Sequence, residues 1–254
     1  MNINGKTAIV TGGASGLGEA AVISLFNAGA NVVIADLNEE KGKALAEKLG
    51  GRAIFVKTDV VSIEDVENVC KTAVDKFGAI HILVNNAGLG TIGKTIGKNG
   101  PLNIDVFKKT VEVNLIGSFN MLSHAAWEMS KNQAEDGERG VIVNTASVAA
   151  FEGQIGQVSY AASKAGIVGM TLPTARDLAR DGIRVCTIAP GIIDTPMLAQ
   201  VPEPARQSLA KQVPFPSRLG KPEEFGMLVQ HIVENGYLNG ECIRLDGAIR
   251  MGPQ

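Results

Sequence analysis

Thr7-Ala8-Ile9-Val10-Thr11-Gly12-Gly13-Ala14-Ser15-Gly16-Leu17-Gly18 is the stretch whose reading settles the fold class. Thr7–Val10 is a short apolar run with β-branched residues, which suits a strand. Thr11-Gly12 stops it, and glycines recur at Gly12, Gly13, Gly16 and Gly18. Glu19–Ala28 then shows helical periodicity and ends at Gly29. The order is strand, glycine turn, helix. The spacing Gly-x-x-x-Gly-x-Gly leaves backbone without Cβ atoms at the positive end of a helix, where an anion such as a pyrophosphate can approach closely. A bare tight turn also asks for glycine, so the motif takes its meaning from its surroundings.

Working outward, the same alternation continues. Asn31–Ala35 is a β-type run ending at Asp36, and Glu39–Leu49 is helical and stopped by Gly50-Gly51. Arg52–Lys57 reads as a third strand ending near Asp59; Ile63–Phe77 is an amphipathic helix stopped by Gly78; Ile80–Val84 is a fourth strand closing on Asn85-Asn86-Ala87-Gly88. Leu89–Leu102, with Lys94 and Lys98, reads as a long loop. Asp105–Met129 reads as one long helix carrying Asn114, Val141–Thr145 as a strand delivering Ser147, and Ser159–Leu178 as a helix that Pro173 kinks or ends early. Ile183–Ile188 ends at Pro190-Gly191, Asp194–Val213 reads as short helices in a lid, Pro222–Glu234 as a helix and Glu241–Leu245 as a last strand.

Strands alternating with helices call for an α/β fold, a doubly wound parallel sheet of about seven strands with helices on both faces. Neither a composition break nor a repeat divides the chain, so residues 1–254 read as a single Rossmann-type domain. Ligands of such sheets sit beyond the carboxyl ends of the strands. Gly12, Asp36, Asp59, Asn86, Ser147 and Pro190 are therefore expected on one rim.

Bulk properties narrow the function classes. The 254 residues carry a formal net charge of -2, with 45% hydrophobic and 20% charged residues. That balance provides a sizeable core and gives no electrostatic reason to expect nucleic acid or an acidic membrane as partner. Cys70, Cys186 and Cys242 have neither disulfide nor ligand spacing and read as reduced, mostly buried thiols. His81, His124 and His231 are scattered, so no metal site is expected, and Trp127 reads as a helix-face core or interface residue. No signal or Arg-rich transit segment precedes Lys6, which gives a cytoplasmic expectation.

Chemistry is concentrated in Ser159-Tyr160-Ala161-Ala162-Ser163-Lys164. On a helix, residues four apart share a face, so Tyr160 and Lys164 adjoin. An ammonium beside a phenol favours the phenolate. Bringing a phenol from about 10 to neutrality takes about 4 kcal/mol, for which Lys164 and the positive nicotinamide of an oxidised cofactor are the expected sources. With Ser147 steadying an oxygen, the pair can take a proton from an alcohol while hydride leaves its carbon for a dinucleotide. An ordinary helix with a half-buried Tyr and a surface Lys fits the spacing as well.

Asp36 stands about 20 residues beyond the glycine turn, where a carboxylate can bind both adenosine ribose hydroxyls. Leu37, Asn38 and Ser15 supply no cation for a 2′-phosphate, so NAD is expected over NADP. Asp59-Val60 can hold the adenine edge, or Asp59 can cap a helix. Asn86-Ala87-Gly88 leaves room for the nicotinamide ribose, or is a plain turn. Asn114 reads equally as a structural hydrogen bond or as part of a proton-carrying water chain.

Thr11–Gly18, Asn85–Gly88, Asn114, Ser147, Tyr160–Lys164 and Pro190-Gly191, in that order along nearly the whole chain, resemble the signature of the short-chain dehydrogenase/reductase family. Asn144–Gln154, Val213–Gly220 and Arg244–Met251 resemble its 3-hydroxyacyl-CoA dehydrogenase branch. The resemblance implies reversible oxidation of 3-hydroxyacyl-CoA, and possible acceptance of branched hydroxyacyl-CoAs or hydroxysteroids, in fatty-acid or branched-chain degradation. It implies catalysis by Ser147, Tyr160 and Lys164 with Asn114 as fourth member. NAD would be touched by Ser15, Leu17, Asp36, Asp59, Val60, Asn86, Ile193 and Thr195, within a cradle that includes Gly12, Gly16, Gly18, Ala87, Gly88, Tyr160, Lys164, Pro190 and Gly191. Gln154 would sit near the substrate. A homotetramer is implied, and the animal relatives of this branch are mitochondrial. An NADP-linked ketoacyl reductase acting on acyl carrier protein, a general alcohol dehydrogenase, and an RNA-processing or assembly scaffold are the competing readings.

Overall fold

Thr7–Thr11 (β1) is buried along its whole length, because it lies between Asn31–Asp36 (β2) and Ile82–Asn85 (β4) and is covered on both faces. The structure is a computed structural model that describes residues 1–253 apart from Met197 and 199–201. Ala53–Lys57 (β3), a small hairpin of Ile96–Gly97 (β5) and Gly100–Pro101 (β6), Gly140–Thr145 (β7), Ile183–Pro190 (β8) and Cys242–Leu245 (β9) complete the strands. The main sheet is parallel with seven strands in the order β3-β2-β1-β4-β7-β8-β9.

The helices are Gly16–Asn27 (α1), Glu39–Leu49 (α2), Ile63–Phe77 (α3), Ile104–Val111 (α4), Gly117–Ser130 (α5), Val158–Asp177 (α6), Glu203–Lys211 (α7) and Pro222–Glu234 (α8). Strand alternation divides the core in two. Ala8, Val10, Val32, Ile34, Val84 and Val143 face Leu25 of α1 and Phe225 and Val229 of α8. Ile9, Val33, Leu83 and Ile142 face Val66 and Val69 of α3 and Met121 and Met129 of α5. The chain winds one way from β1 to β3 and the other way from β4 onward. The crevice between β1 and β4 is thus the switch point, where such sheets bind ligands. Among the described residues no helix is long and apolar enough to cross a membrane. Cys70 and Cys186 are buried and Cys242 is partly so, all three free.

Several local expectations change. Asp105–Met129 is not one regular helix: α4 and α5 are joined by a π-helical turn, Glu112–Ile116, that contains Asn114. The Leu89–Leu102 loop carries the β5–β6 hairpin. Pro173 neither ends nor shortens α6. It lies on the exposed face, and the carbonyl it leaves unbonded belongs to exposed Gly169, which water can reach. Asp59 does not cap α3; Ser62 does, its side chain accepting from the Asp65 N–H at 3.2 Å. Trp127 is 66% exposed, which removes the core half of its reading and leaves the interface half, with Lys131 Nζ 4.9 Å from its ring. Of the expected lid, α7 is helical, while Met197 and 199–201 lie outside the described residues.

Candidate active site

The glycine turn is built by close approach. Gly12 (φ +61°) and Gly16 (φ +57°) adopt backbone conformations that favour glycine. A Cβ on Gly12 would stand 3.0 Å from the Ala87 backbone, and one on Gly18 would overlap the Gly12 carbonyl. The N-terminus of α1 is thereby pressed against the end of β1. Ser15 precedes α1 without using its side chain as a cap, Leu17 packs partly on the core, and Thr195 and Pro196 lie beside Gly16. A helix N-terminus held this close to a glycine turn, at a topological switch point, fits a dinucleotide pyrophosphate.

Thr11 ties the two halves of the crevice together. Its Oγ1 accepts from the N–H groups of Asn86 at 3.0 Å and Ala87 at 3.1 Å. Asp36, at the end of β2, is held by the turn itself: one oxygen accepts from the Ala14 N–H at 3.0 Å and the other from the Asn38 N–H at 2.8 Å. Lys57 pairs with Asp36 in the β2–β3 register, a cation that reading the chain near Asp36 did not bring out. Its charge is felt at Glu39. Asp59 accepts from the Val61 N–H, and Val60 is buried with its carbonyl bonded to Asn120.

Ser147 follows β7, and Tyr160 and Lys164 lie one turn apart on α6, which returns across the end of that strand. Lys164 is buried, donates to the Thr145 carbonyl at 2.8 Å and sits 5.8 Å from the centre of the Tyr160 ring. Ser147 Oγ accepts from the Ala149 N–H at 3.1 Å and lies near enough to the phenol to favour its ionised form. Burial pushes the Lys164 ammonium down to about 8. Burial also holds Tyr160 above the ordinary phenol range, opposed by the weaker pull of Ser147. Of the two sources of positive charge expected at the phenol, Lys164 and an oxidised nicotinamide, the lysine does not by itself bring the phenol below its ordinary range, because burial acts the other way.

Asn114 is fully buried, with its side chain engaged throughout. Its Oδ1 accepts from the Leu89 N–H at 2.7 Å, and its Nδ2 donates to the Leu89 carbonyl and to Ser163 Oγ, both at 3.0 Å. The side chain is a structural clamp between the π turn, the strand-end loop and α6. Lys164 Nζ and Asn114 Oδ1 both border Gly88, where a Cβ would crowd them. Pro190 ends β8; Gly191 packs against Asp246 so closely that a Cβ would lie 2.8 Å from the Asp246 Cα; Ile193 is buried and bridges to Gly220.

Gln154 lines a cleft beside α6, and its Nε2 donates to the Gly252 carbonyl at 3.2 Å. The anchors Thr11, Ser163 and Thr145 were missed by sequence reading. The first two are common residues whose roles depend on contacts far away in the chain. The third acts through its backbone, which leaves no signal in residue type.

The chain matches the short chain dehydrogenase family over residues 6–206. It is 53% identical over 254 residues to a 3-hydroxyacyl-CoA dehydrogenase type-2 of Drosophila melanogaster, covering 99% of this chain and 100% of that one. A crystal structure of 3-hydroxyacyl-CoA dehydrogenase type-2 from Mycobacterium avium is similar with TM-score 0.95 and 46% identity, over 98% of each chain. A 7α-hydroxysteroid dehydrogenase complexed with NADH and 7-oxo glycochenodeoxycholic acid aligns with TM-score 0.90 and 30% identity, over 100% of this chain and 98% of that one. A parallel sheet with its switch point at a glycine cradle, and a Ser–Tyr–Lys group beside it, thus stand in a chain that belongs to the short-chain dehydrogenase family and is an oxidoreductase using a nicotinamide cofactor.

Proposed function

We propose that this protein oxidises the hydroxyl group of 3-hydroxyacyl-CoA to a ketone, reversibly, with NAD as acceptor. The observation that carries the reading is the grouping of Tyr160, Ser147 and buried Lys164 at the end of β7, next to the glycine cradle. The substrate class is supported by the near-full-length similarity to enzymes of that name. NAD rather than NADP is supported by Asp36, whose carboxylate would repel a 2′-phosphate.

Bound in the cradle, an oxidised nicotinamide supplies the hydride acceptor and a positive charge. The protein's own residues do the rest. Ser147 holds the substrate oxygen, and Tyr160 Oη takes the hydroxyl proton during oxidation and returns it during reduction. Lys164, anchored on Thr145, keeps a positive charge near the phenol as it ionises. Gly12, Ser15, Gly16, Leu17 and Gly18 would hold the phosphates, and Asp36, Asp59 and Val60 the adenosine end. Asn86, Ala87, Gly88, Pro190, Gly191, Ile193 and Thr195 would border the nicotinamide end. The whole chain is read as one catalytic domain, with residues 194–213 as lid, working as a homotetramer.

Assay of short and long 3-hydroxyacyl-CoA with NAD and with NADP tests this directly. Turnover with NAD, weak with NADP, is expected. Failure to oxidise any hydroxyacyl-CoA would end the substrate assignment, and a large NADP preference would overturn the role given to Asp36.

A further inference from the structure

A cleft of about 430 Å³ flanks the candidate site, between Gly93–Thr95 on one side and Gly153–Val158 with Ala161 on the other. The Gly153–Gln157 turn is held from two directions. On the loop side, the Gly93 N–H donates to the Gly156 carbonyl at 2.7 Å, and Thr91 Oγ1 lies 3.1 Å from Ser159 Oγ. On the other side, the Ile155 N–H donates to the Pro253 carbonyl at 2.9 Å and Gln154 Nε2 to the Gly252 carbonyl. The segment after β9 is thus the outer support of one cleft wall.

That segment is in turn fixed by one carboxylate. Glu152 accepts from both terminal nitrogens of Arg244, at 2.9 and 3.0 Å, from the Met251 N–H at 3.3 Å, and pairs with Arg250 Nε at 3.4 Å. Asp246 completes the cluster, binding Arg244 Nε at 2.7 Å and Arg250 at 3.1 Å. A bidentate pair within a network holds geometry better than an isolated surface pair. The Arg244 hydrogen bonds also hold the Glu152 carboxyl below the usual carboxylate range, so it stays charged. Glu152 is placed in neither the catalytic group nor the cofactor cradle.

We propose that Glu152 is a positioning residue: through Arg250–Pro253 it fixes the Gly153–Gln157 turn, and so sets the KM for substrates long enough to reach the cleft. The choice of acyl-CoA as substrate rests on the functional reading above; the positioning itself does not. Glu152→Gln keeps the shape and removes the charge. It should raise the KM for a long-chain 3-hydroxyacyl-CoA about tenfold, with kcat within about twofold and the KM for 3-hydroxybutyryl-CoA much less affected. Amide exchange at Ile155 should accelerate in parallel, because its acceptor on Pro253 is released. Arg250→Gln, on the exposed edge of the cluster, should produce a smaller effect of the same kind and serves if Glu152→Gln folds poorly. Unchanged Ile155 exchange would overturn the proposal, as would an unchanged KM with faster exchange, or a fall in kcat shared by all substrates. Wild-type inactivity toward every hydroxyacyl-CoA would overturn the functional reading instead, with Ile155 exchange still deciding the positioning role.

Discussion

Lys164 Nζ sits 5.8 Å from the centre of the Tyr160 ring, one helical turn away, with its own hydrogen bond spent on the Thr145 carbonyl. The lysine is therefore fixed to the end of β7, the strand that also delivers Ser147. The hydroxyl and the cation are thereby referred to one piece of backbone, with the phenol one turn along α6 from the cation.

A buried cation carries a cost that should be measurable. Lys164 falls from 10.5 to about 8 through desolvation. Between those values the unfolded chain binds more protons than the folded one, so stability rises with pH across that window and the penalty is full below it. Lys164→Met should remove a penalty of order 3 kcal/mol at pH 7 and lose about 1 kcal/mol with the bond to Thr145. Thermal melting should show the variant more stable than wild type at pH 7, by a margin that shrinks as pH rises through the window, while dehydrogenase activity is largely lost. A lower melting temperature at pH 7 would contradict this reading.

Asp36 is expected to decide the cofactor. Asp36→Ser removes a charge-assisted acceptor and should raise the KM for NAD about 10- to 100-fold while allowing NADP turnover. Because Lys57 pairs with Asp36 across the strand register, Lys57→Ala in the same background should reduce the gained NADP activity. Steady-state kinetics with both cofactors checks both points.

Gly18→Ala places a methyl group against the Gly12 carbonyl. The turn and α1 must separate, at a cost of about 1–3 kcal/mol. Denaturant unfolding should show that loss. Binding of NADH, followed by fluorescence, should weaken because the helix N-terminus no longer meets the turn.

Asn114→Ala leaves both backbone polar groups of Leu89 without their partner. The expected destabilisation is about 1–2 kcal/mol, from two part-buried groups losing their partner. Activity should fall as well, because the root of the Leu89–Leu102 loop and α6 share this clamp. A variant as stable as wild type would show that water replaces the side chain.

The sheet was legible because its strands are apolar and most are stopped by glycine or a strand-end acid or amide, so period and punctuation agree. Site residues at strand ends were legible for the same reason: topology alone sends Gly12, Asp36, Asn86 and Ser147 to one rim. The π turn at Glu112–Ile116 was not, because nothing in its residue types distinguishes it from α-helix. Nor was the continuity of α6 through Pro173, which depends on the exposure of Gly169. The burial that holds the Tyr160 phenol up was not legible either, because spacing reveals a neighbouring charge but not how much water the fold removes. The support that Gly252 and Pro253 give to Gln154 and Ile155 joins positions about a hundred residues apart through carbonyl groups, which no local pattern records.

Single-turnover reduction of NAD by 3-hydroxybutyryl-CoA, compared between wild type and Tyr160→Phe, tests proton transfer by the phenol most directly. A fall in rate of about 10²–10⁴-fold with nearly unchanged NADH binding is the expected result. A Phe variant that retains a rate within a few-fold of wild type would contradict it and move the acid–base role to another group.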